Sequence, residues 1–447
     1  MLLTVAIEDL KVGMFVHLEL GWWAHPFALS NFAISSPDQI QTLRGLGLKQ
    51  LRWSPEKSRP DAPLESVADA ASEPAPTQIA AAIESSAVES TAAAVQPLRI
   101  ATGSPRAVSP AARALAGQRD AQRLCELQYH EAGAAWQEAQ RQLPNAPEQA
   151  RVVTEGLTRA LLDKLIVDQE MCVRVLAGVA GEPNAAHAMN VTVISLLMAR
   201  VFGFGPDDML DLGMGALLHD VGKHGLPERA RHADPRTLPI DGQRYRSHVA
   251  LGLVQGRRMS LSPGALSVLA QHHELADGSG FPNGLAQDNI ALAGRIVALV
   301  NRYDNLCNPL QAANGLTPHE ALSLIFAQSR GQFDATMLNA FIRMMGVYPP
   351  GSVVQLTDDR FASVVSVNSS RPLKPRVLVC DPQVPPEEAL LLNLDGQADL
   401  GIRRSLKPGQ LPAAARDYLS PSTRTVYFFE PVAAVPAAGA AQQALAA

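Results

Sequence analysis

Two short stretches hold the side chains with the most chemical potential. Leu217-Leu218-His219-Asp220-Val221-Gly222-Lys223 sets a histidine beside an aspartate, and His272-His273-Glu274-Leu275-Ala276-Asp277-Gly278-Ser279-Gly280-Phe281-Pro282 sets a histidine pair beside a glutamate and a glycine-rich turn. Imidazole is a borderline metal ligand and carboxylate a hard one, so a His-Asp pair offers both at one point. A later His pair then closes a second coordination sphere. Phosphodiester hydrolysis needs a strong nucleophile at neutral pH and compensation for charge on the phosphoryl oxygens. Two cations a few ångströms apart supply both. The pattern implies a metal-dependent phosphohydrolase. An isolated His-Asp dipeptide is common and weak evidence, and DGSG alone is merely a turn. Gly222-Lys223 directly behind the pair makes coincidence much less attractive.

The order of these motifs resembles the HD-GYP family of bacterial cyclic di-GMP phosphodiesterases, whose added motif has the form HHExxDGSGYP. Here it reads HHELADGSGFP, with Phe281 in place of the tyrosine. The resemblance spans roughly residues 150 to 370. It implies a mainly α protein with an HD-superfamily helical core that opens cyclic di-GMP to pGpG or GMP. It also implies two divalent metal ions, iron or manganese, although histidine and carboxylate sites accept nickel or zinc as well. His187, His219, His248, His272 and His273 would then be ligands, with Asp220 bridging both ions as a catalytic residue and Lys223 facing the scissile phosphate. Glu274, Asp277, Gly278, Gly280, Phe281 and Pro282 would form the substrate loop, with Glu274 orienting a ligand histidine or a water. Adjacent histidines on a regular helix point about 100° apart, so His272 and His273 share one ion only if the helix ends there, and Asp277-Gly278-Ser279-Gly280 provides that end. Taken singly, His187 reads as a hydrogen-bonded core histidine and Lys223 as a solvated lysine at a helix end. The register of the resemblance favours the site roles.

Three departures stand out. Asn301 occupies the place of the family's last metal-binding aspartate, with Asp304 at the second, structural one, and a neutral amide is the poorer donor. Pro183 stands where some members place a glutamate for a third ion, so no trinuclear centre is expected. The family's arginine-rich phosphate segment is replaced by Asn308-Pro309-Leu310-Gln311-Ala312-Ala313, which removes fork-shaped donors. Arg295 and Arg302 are the nearby candidates to substitute. Three functions stay open at this stage: the phosphodiesterase, a catalytically weakened nucleotide receptor or signalling module, and a phosphohydrolase acting on another phosphoester.

Composition bounds the alternatives. At 447 residues with 47% hydrophobic side chains the chain can bury two or three domains. A net charge of -5 argues against coating DNA or RNA. The four scattered cysteines read as reduced thiols, and no uncharged apolar run is long enough to span a membrane, so a cytoplasmic protein without membrane insertion is expected. Cyclic di-GMP, signalling proteins such as diguanylate cyclase domains, and a second copy in a homodimer are the partners that the resemblance implies.

Along the chain, residues 1–53 alternate short apolar runs with turns and resemble the small β-rich domain of unknown function found in front of HD-GYP domains. Trp22, Trp23, His25, Pro26 and Phe27 within it read as buried packing or as a ligand patch. Residues 54–110 are rich in Ala, Ser, Pro and Glu and read as a disordered linker. A connecting helix is expected over 111–147, the phosphohydrolase domain over 148–347 and a β-containing extension over 348–447. Within the core, helices are expected over 148–180, 185–202, 206–220, 241–257, 263–273, 290–306, 318–329 and 334–345. Strands are expected near 352–356, 363–367, 376–380 and 425–429, with a frayed Ala-rich end at 432–447.

Overall fold

The computed structural model describes residues 3–18, 31–34, 36–58, 109–165, 171–179, 182–231, 239–368 and 370–431. These divide into two compact units, one of the N-terminal strands and one of everything from Pro110 onward. The aromatic stretch Trp22–Phe27, most of the expected linker and the Ala-rich end lie outside the described residues.

The N-terminal unit is a four-stranded antiparallel sheet in the order β1 (Leu3–Ala6), β4 (Gln50–Ser54), β2 (Phe15–His17), β3 (Asn31–Ala33). One helix, α1 (Pro37–Gly45), starts at Ser36, whose hydroxyl accepts from the Gln39 amide, with Pro37 in the first turn. The inward-facing Val16, Ile34, Leu43 and Leu51 make its small core.

The larger unit opens with two helices, α2 (Pro110–Gln142) and α3 (Pro147–Leu165), packed as a pair across the Pro144–Pro147 interruption. Next comes a departure from the sequence reading: the expected helix over 148–180 ends at Leu165, and Met171–Val175 is a strand, β5. All five of its residues are buried, and both its edges are paired, to β7 (Phe361–Asn368) and β11 (Tyr427–Pro431). An apolar run covered on both sides carries no alternation to distinguish it from a buried helix. Its Arg174 is paired with Glu430 of β11 at 2.6 Å, so the buried charge is compensated.

The helical core follows. The central helix α4 (Pro183–Val201) is buried nearly all round and is capped by Glu182, whose carboxylate accepts from the Asn184 and Ala185 amides. Of the helices that follow, α5 (Pro206–Leu218), α10 (Leu292–Cys307) and α12 (Ala335–Met345) pack against it; α9 (Pro263–Gln271) packs on α5 and α10, α8 (His248–Arg258) on α9, α11 (Pro318–Gln328) on α10, and the short α6 (Glu228–Arg231) and α7 (Pro239–Arg246) lie against each other ahead of α8. The single helix expected over 241–257 is broken at Ser247, so His248 opens a new helix. Helix α11 is set by a capping box in which Thr317 and Glu320 satisfy each other's amides.

The C-terminal strands do not form a separate tail. They build one antiparallel sheet, β10 (Ile402–Leu406), β6 (Val353–Leu356), β7, β5, β11, with β8 (Arg376–Val379) and β9 (Leu392–Asn393) branching from β7 and α13 (Ala413–Leu419) beside it. Val426, Tyr427, Phe428 and Phe429 belong to the same hydrophobic core as α4, α5 and α10. No helix among the described residues is long and apolar enough to cross a membrane.

Candidate metal centre

Helix ends deliver most of the site. His219 caps the C-terminus of α5 and Asp220 follows it out of helical geometry, leading into a 3-10 turn, Val221–Gly225, that carries Lys223. His248 is the first residue of α8, and His272 caps the C-terminus of α9 with His273 just beyond. His187 comes from the first half of α4, and Asn301 and Asp304 lie on the buried face of α10. Gly222 explains how the Asp220 turn and α8 come so close. A Cβ there would lie 1.9 Å from the His248 carbonyl oxygen and 2.4 Å from the Gly252 nitrogen, so only glycine lets the two backbones touch.

The histidines gather into two groups that share Asp220. His187, His219 and Asp220 form one; Asp220, His248, His272 and His273 form the other, with ligand atoms within 4.8 Å of one another in each. Asp220 faces the first through Oδ2, 3.6 Å from His187 Nε2 and 3.4 Å from His219 Nε2. It faces the second through Oδ1, 3.5 Å from His248 Nε2 and 3.9 Å from His272 Nε2.

The outer ring nitrogens fix the tautomers. Nδ1–H of His219 donates to Ala216 O at 2.7 Å, that of His272 to Leu269 O at 2.9 Å and that of His248 to Tyr245 O, while His187 Nδ1–H donates to Asp304 Oδ2 at 2.6 Å. Each Nε2 therefore presents a lone pair. Two such lone pairs face each other at 3.1 Å between His187 and His219, and two at 3.2 Å between His248 and His272. Between neutral rings neither member of a pair has a proton to donate, so the arrangement suits an electrophile between them. Asp220 Oδ1 and His273 Nε2 are buried without a hydrogen-bond partner, a costly state for polar atoms that a cation relieves. The donor set fits divalent ions with nitrogen and oxygen ligands.

Electrostatics put His248, His272, His273 and Asp220 in ligand form at neutral pH. Burial lowers His248 to about 4 and, with the neighbouring imidazoles, holds His272 and His273 well below the usual histidine range. Burial alone would raise the Asp220 carboxyl, but Lys223 and His219 more than offset it and hold it well below the usual range. Lys223 feels the opposite balance: burial works against its charge, and Asp220, 2.6 Å away, overrides it and raises the ammonium above the lysine range.

The loop after His273 is braced from within. Glu274 was expected to orient a histidine or a water. Instead its buried carboxylate accepts from the Asn283 and Leu285 amides at 2.8 and 2.9 Å and ties the loop down. Asp277 turns back on the Ser279 amide, and Gly278 has a positive φ of 76°. A Cβ on Gly280 would meet the Leu275 nitrogen at 2.4 Å. Phe281 stacks on His273 at 4.3 Å, and Pro282 follows it on the exposed face of the loop.

Several neighbours escaped the sequence reading. Tyr245 lies under the Lys223 ammonium and beside His248, His273 and Phe281, and Arg246 lies over the Phe281 ring. Asn301 is buried, and its Oδ1 accepts from Asn305 Nδ2 at 2.6 Å. Arg295 is no substitute for the missing arginine segment, because it is paired with Asp334 at 2.9 Å. Arg424, near the chain's end, donates to Leu310 O at 3.1 Å within that segment. No motif marked Tyr245 or Arg424, although Tyr245 stands three residues before His248.

Residues 2–152 match a domain of unknown function, DUF3391, and residues 172–337 match the HD domain family. A cyclic di-GMP phosphodiesterase of Pseudomonas aeruginosa is 27% identical over 89% of this chain and 91% of its own length. A cyclic di-GMP phosphodiesterase response regulator of Xanthomonas campestris is 29% identical over 36% of this chain and 43% of its own, and a 3'3'-cGAMP-specific phosphodiesterase of Vibrio cholerae is 26% identical over 36% and 31%. Among solved structures, an HDG"Y"P protein from Bdellovibrio bacteriovorus aligns with a TM-score of 0.40 at 12% identity, over 76% of this chain and 98% of that one. This chain thus joins a DUF3391 domain to an HD domain and is a homologue of the HD-GYP cyclic di-GMP phosphodiesterases.

Proposed function

We propose that this protein is a metal-dependent phosphodiesterase that opens cyclic di-GMP to pGpG or GMP. The observation that carries the reading is the convergence of five imidazoles on the two oxygens of one carboxylate, Asp220, with the Nε2 atoms of four of them turned inward in pairs. In this reading His187, His219 and Asp220 hold one divalent ion, with Asn301 at its edge, and Asp220, His248, His272 and His273 hold the other. Such a pair, iron or manganese, supplies a water made nucleophilic at neutral pH and neutralises charge on the phosphoryl oxygens. The names of the relatives in Pseudomonas and Xanthomonas support cyclic di-GMP as substrate.

The chain's own groups supply the rest. Lys223 keeps its proton beside Asp220, so it acts as a fixed positive charge toward a phosphate or a departing oxygen and not as a base. Tyr245 and Phe281 wall the site with aromatic rings beside His273. Glu274 keeps the loop in register so that Phe281 stays on that wall.

The test is turnover by the full-length protein loaded with Mn2+ or Fe2+, offered cyclic di-GMP and 3'3'-cGAMP in parallel. Linear product from cyclic di-GMP is expected, with a loss of at least about 100-fold in Asp220→Asn. Binding without product at full metal load makes the protein a receptor. Product from 3'3'-cGAMP alone reassigns the substrate.

A further inference from the structure

One polar network ties the metal centre to a part of the chain outside the HD domain match. Asp304 is completely buried, and three donors meet its carboxylate. His187 Nδ1–H meets Oδ2 at 2.6 Å, while Asn190 Nδ2 and Asn308 Nδ2 meet Oδ1 at 2.7 and 2.8 Å. Both amides reach on to the backbone just before and within β11. Asn190 Nδ2 donates to Thr425 O at 2.9 Å and its Oδ1 accepts from the Tyr427 amide at 2.7 Å. Asn308 Nδ2 donates to the same Thr425 oxygen at 2.9 Å and its Oδ1 accepts from the Thr425 amide at 2.8 Å. Each amide side chain thus has both protons and its oxygen engaged, so neither can rotate without leaving buried groups unpaired.

One ligand of the site is supported differently from the others. His219, His248 and His272 are oriented by carbonyls three residues back, within the helix for His219 and His272 and across the α7–α8 break for His248. His187 alone is oriented by a carboxylate from another helix, and that carboxylate is positioned by Asn190, Asn308 and the backbone at 425–427. We propose that Asn190 and Asn308 are positioning residues that couple the C-terminal strand to the His187 half of the metal centre, so that disturbing them weakens one ion selectively. Loss of a partner that orients a metal-ligating histidine characteristically costs 10–100-fold in affinity.

This inference rests on the metal reading and not on the substrate, so its test uses metal alone. Co2+ is titrated into chelator-stripped full-length protein, with the visible absorption band and the binding stoichiometry recorded and the melting temperature measured on each metal-free sample. Asn190→Asp keeps the acceptor for Tyr427 N but places a carboxylate where Asp304 now receives a donor. Asn308→Ala sits at the half-exposed end of α10 and keeps the test alive should the first variant fail to fold. Wild type is expected to bind two equivalents. In the variants one equivalent should weaken by about 10–100-fold with a changed band, as in His187→Ala, while the other holds its affinity. Two unchanged equivalents, or two weakened in parallel with a falling melting temperature, overturn the proposal while leaving the metal reading intact. A wild-type protein that takes up no Co2+ overturns both.

Discussion

A histidine becomes a metal ligand through what its far nitrogen does. Here four Nδ1 atoms are committed to carbonyls or a carboxylate, which leaves the Nε2 lone pairs, with the unpartnered Asp220 Oδ1, for a metal ion. Asn301 is where that logic is weakest. It lies one turn ahead of Asp304 on α10, hence on the same helix face, and it is buried. If it stands at the edge of the His187 half, Asn301→Asp replaces a neutral donor with an anionic one while keeping the acceptor that Asn305 now uses. The expected outcome has opposite signs with and without metal. Metal-free protein should melt lower, because a carboxylate is added to a buried site without a counter-charge. With saturating Mn2+ it should melt higher than wild type, and metal affinity should rise by about tenfold. Melting curves in chelator and in Mn2+ check this, and equal shifts in both conditions would place Asn301 outside the coordination sphere.

At the scale of elements, the centre is assembled where helices stop. The C-terminus of α5, the start of α8 and the C-terminus of α9 each contribute a ligand, and the turn after Asp220 has to fit against α8. Gly222→Ala tests that fit, because its Cβ would collide with backbone that cannot move without moving His248. Gly225→Ala, in the same turn, meets only the Leu251 side chain at 3.1 Å and serves as the comparison. Gly222→Ala is expected to lower the melting temperature by several degrees and metal-dependent turnover by more than tenfold, with Gly225→Ala milder in both. Equal effects would show that the close approach is immaterial. The sequence announces the ends of α5 and α9, though not the start of α8, because ligand, turn and glycine are neighbours in it, as in His219-Asp220 followed by Gly222 or His272-His273 followed by Gly278. It does not announce the support of His187, because Asn190 and Thr425 are far apart and half the partners are backbone atoms that any residue carries. Strand β5 was illegible for a related reason, since both its neighbours come from the distant C-terminal segment.

For the molecule as a whole, that same pairing decides what counts as a domain. The HD domain match covers residues 172–337, yet β5 at its start is sandwiched between β7 and β11, both beyond its end. Tyr427, Phe428 and Phe429 are almost completely buried in the core that surrounds α4 and α10, and the Tyr427 hydroxyl meets that of Tyr303 at 2.9 Å. Burying each aromatic contributes about 1.5–3 kcal/mol. Three of them together rival a large share of the ~5–15 kcal/mol by which a folded domain is stable, before the valines of β6 and β7 are counted. A chain ending at residue 347 would also leave Asn190, Asn308 and Tyr303 with buried polar atoms that have lost their partners. Such a truncated chain is therefore expected to lose its cooperative thermal transition, to bind a hydrophobic dye at ambient temperature and to retain no stoichiometric Co2+, although every proposed ligand is still present in it. Circular dichroism melts and Co2+ titration of the full-length and truncated chains side by side decide the matter. A sharp melt with two bound equivalents in the truncated chain would show that the helical core stands without its C-terminal strands.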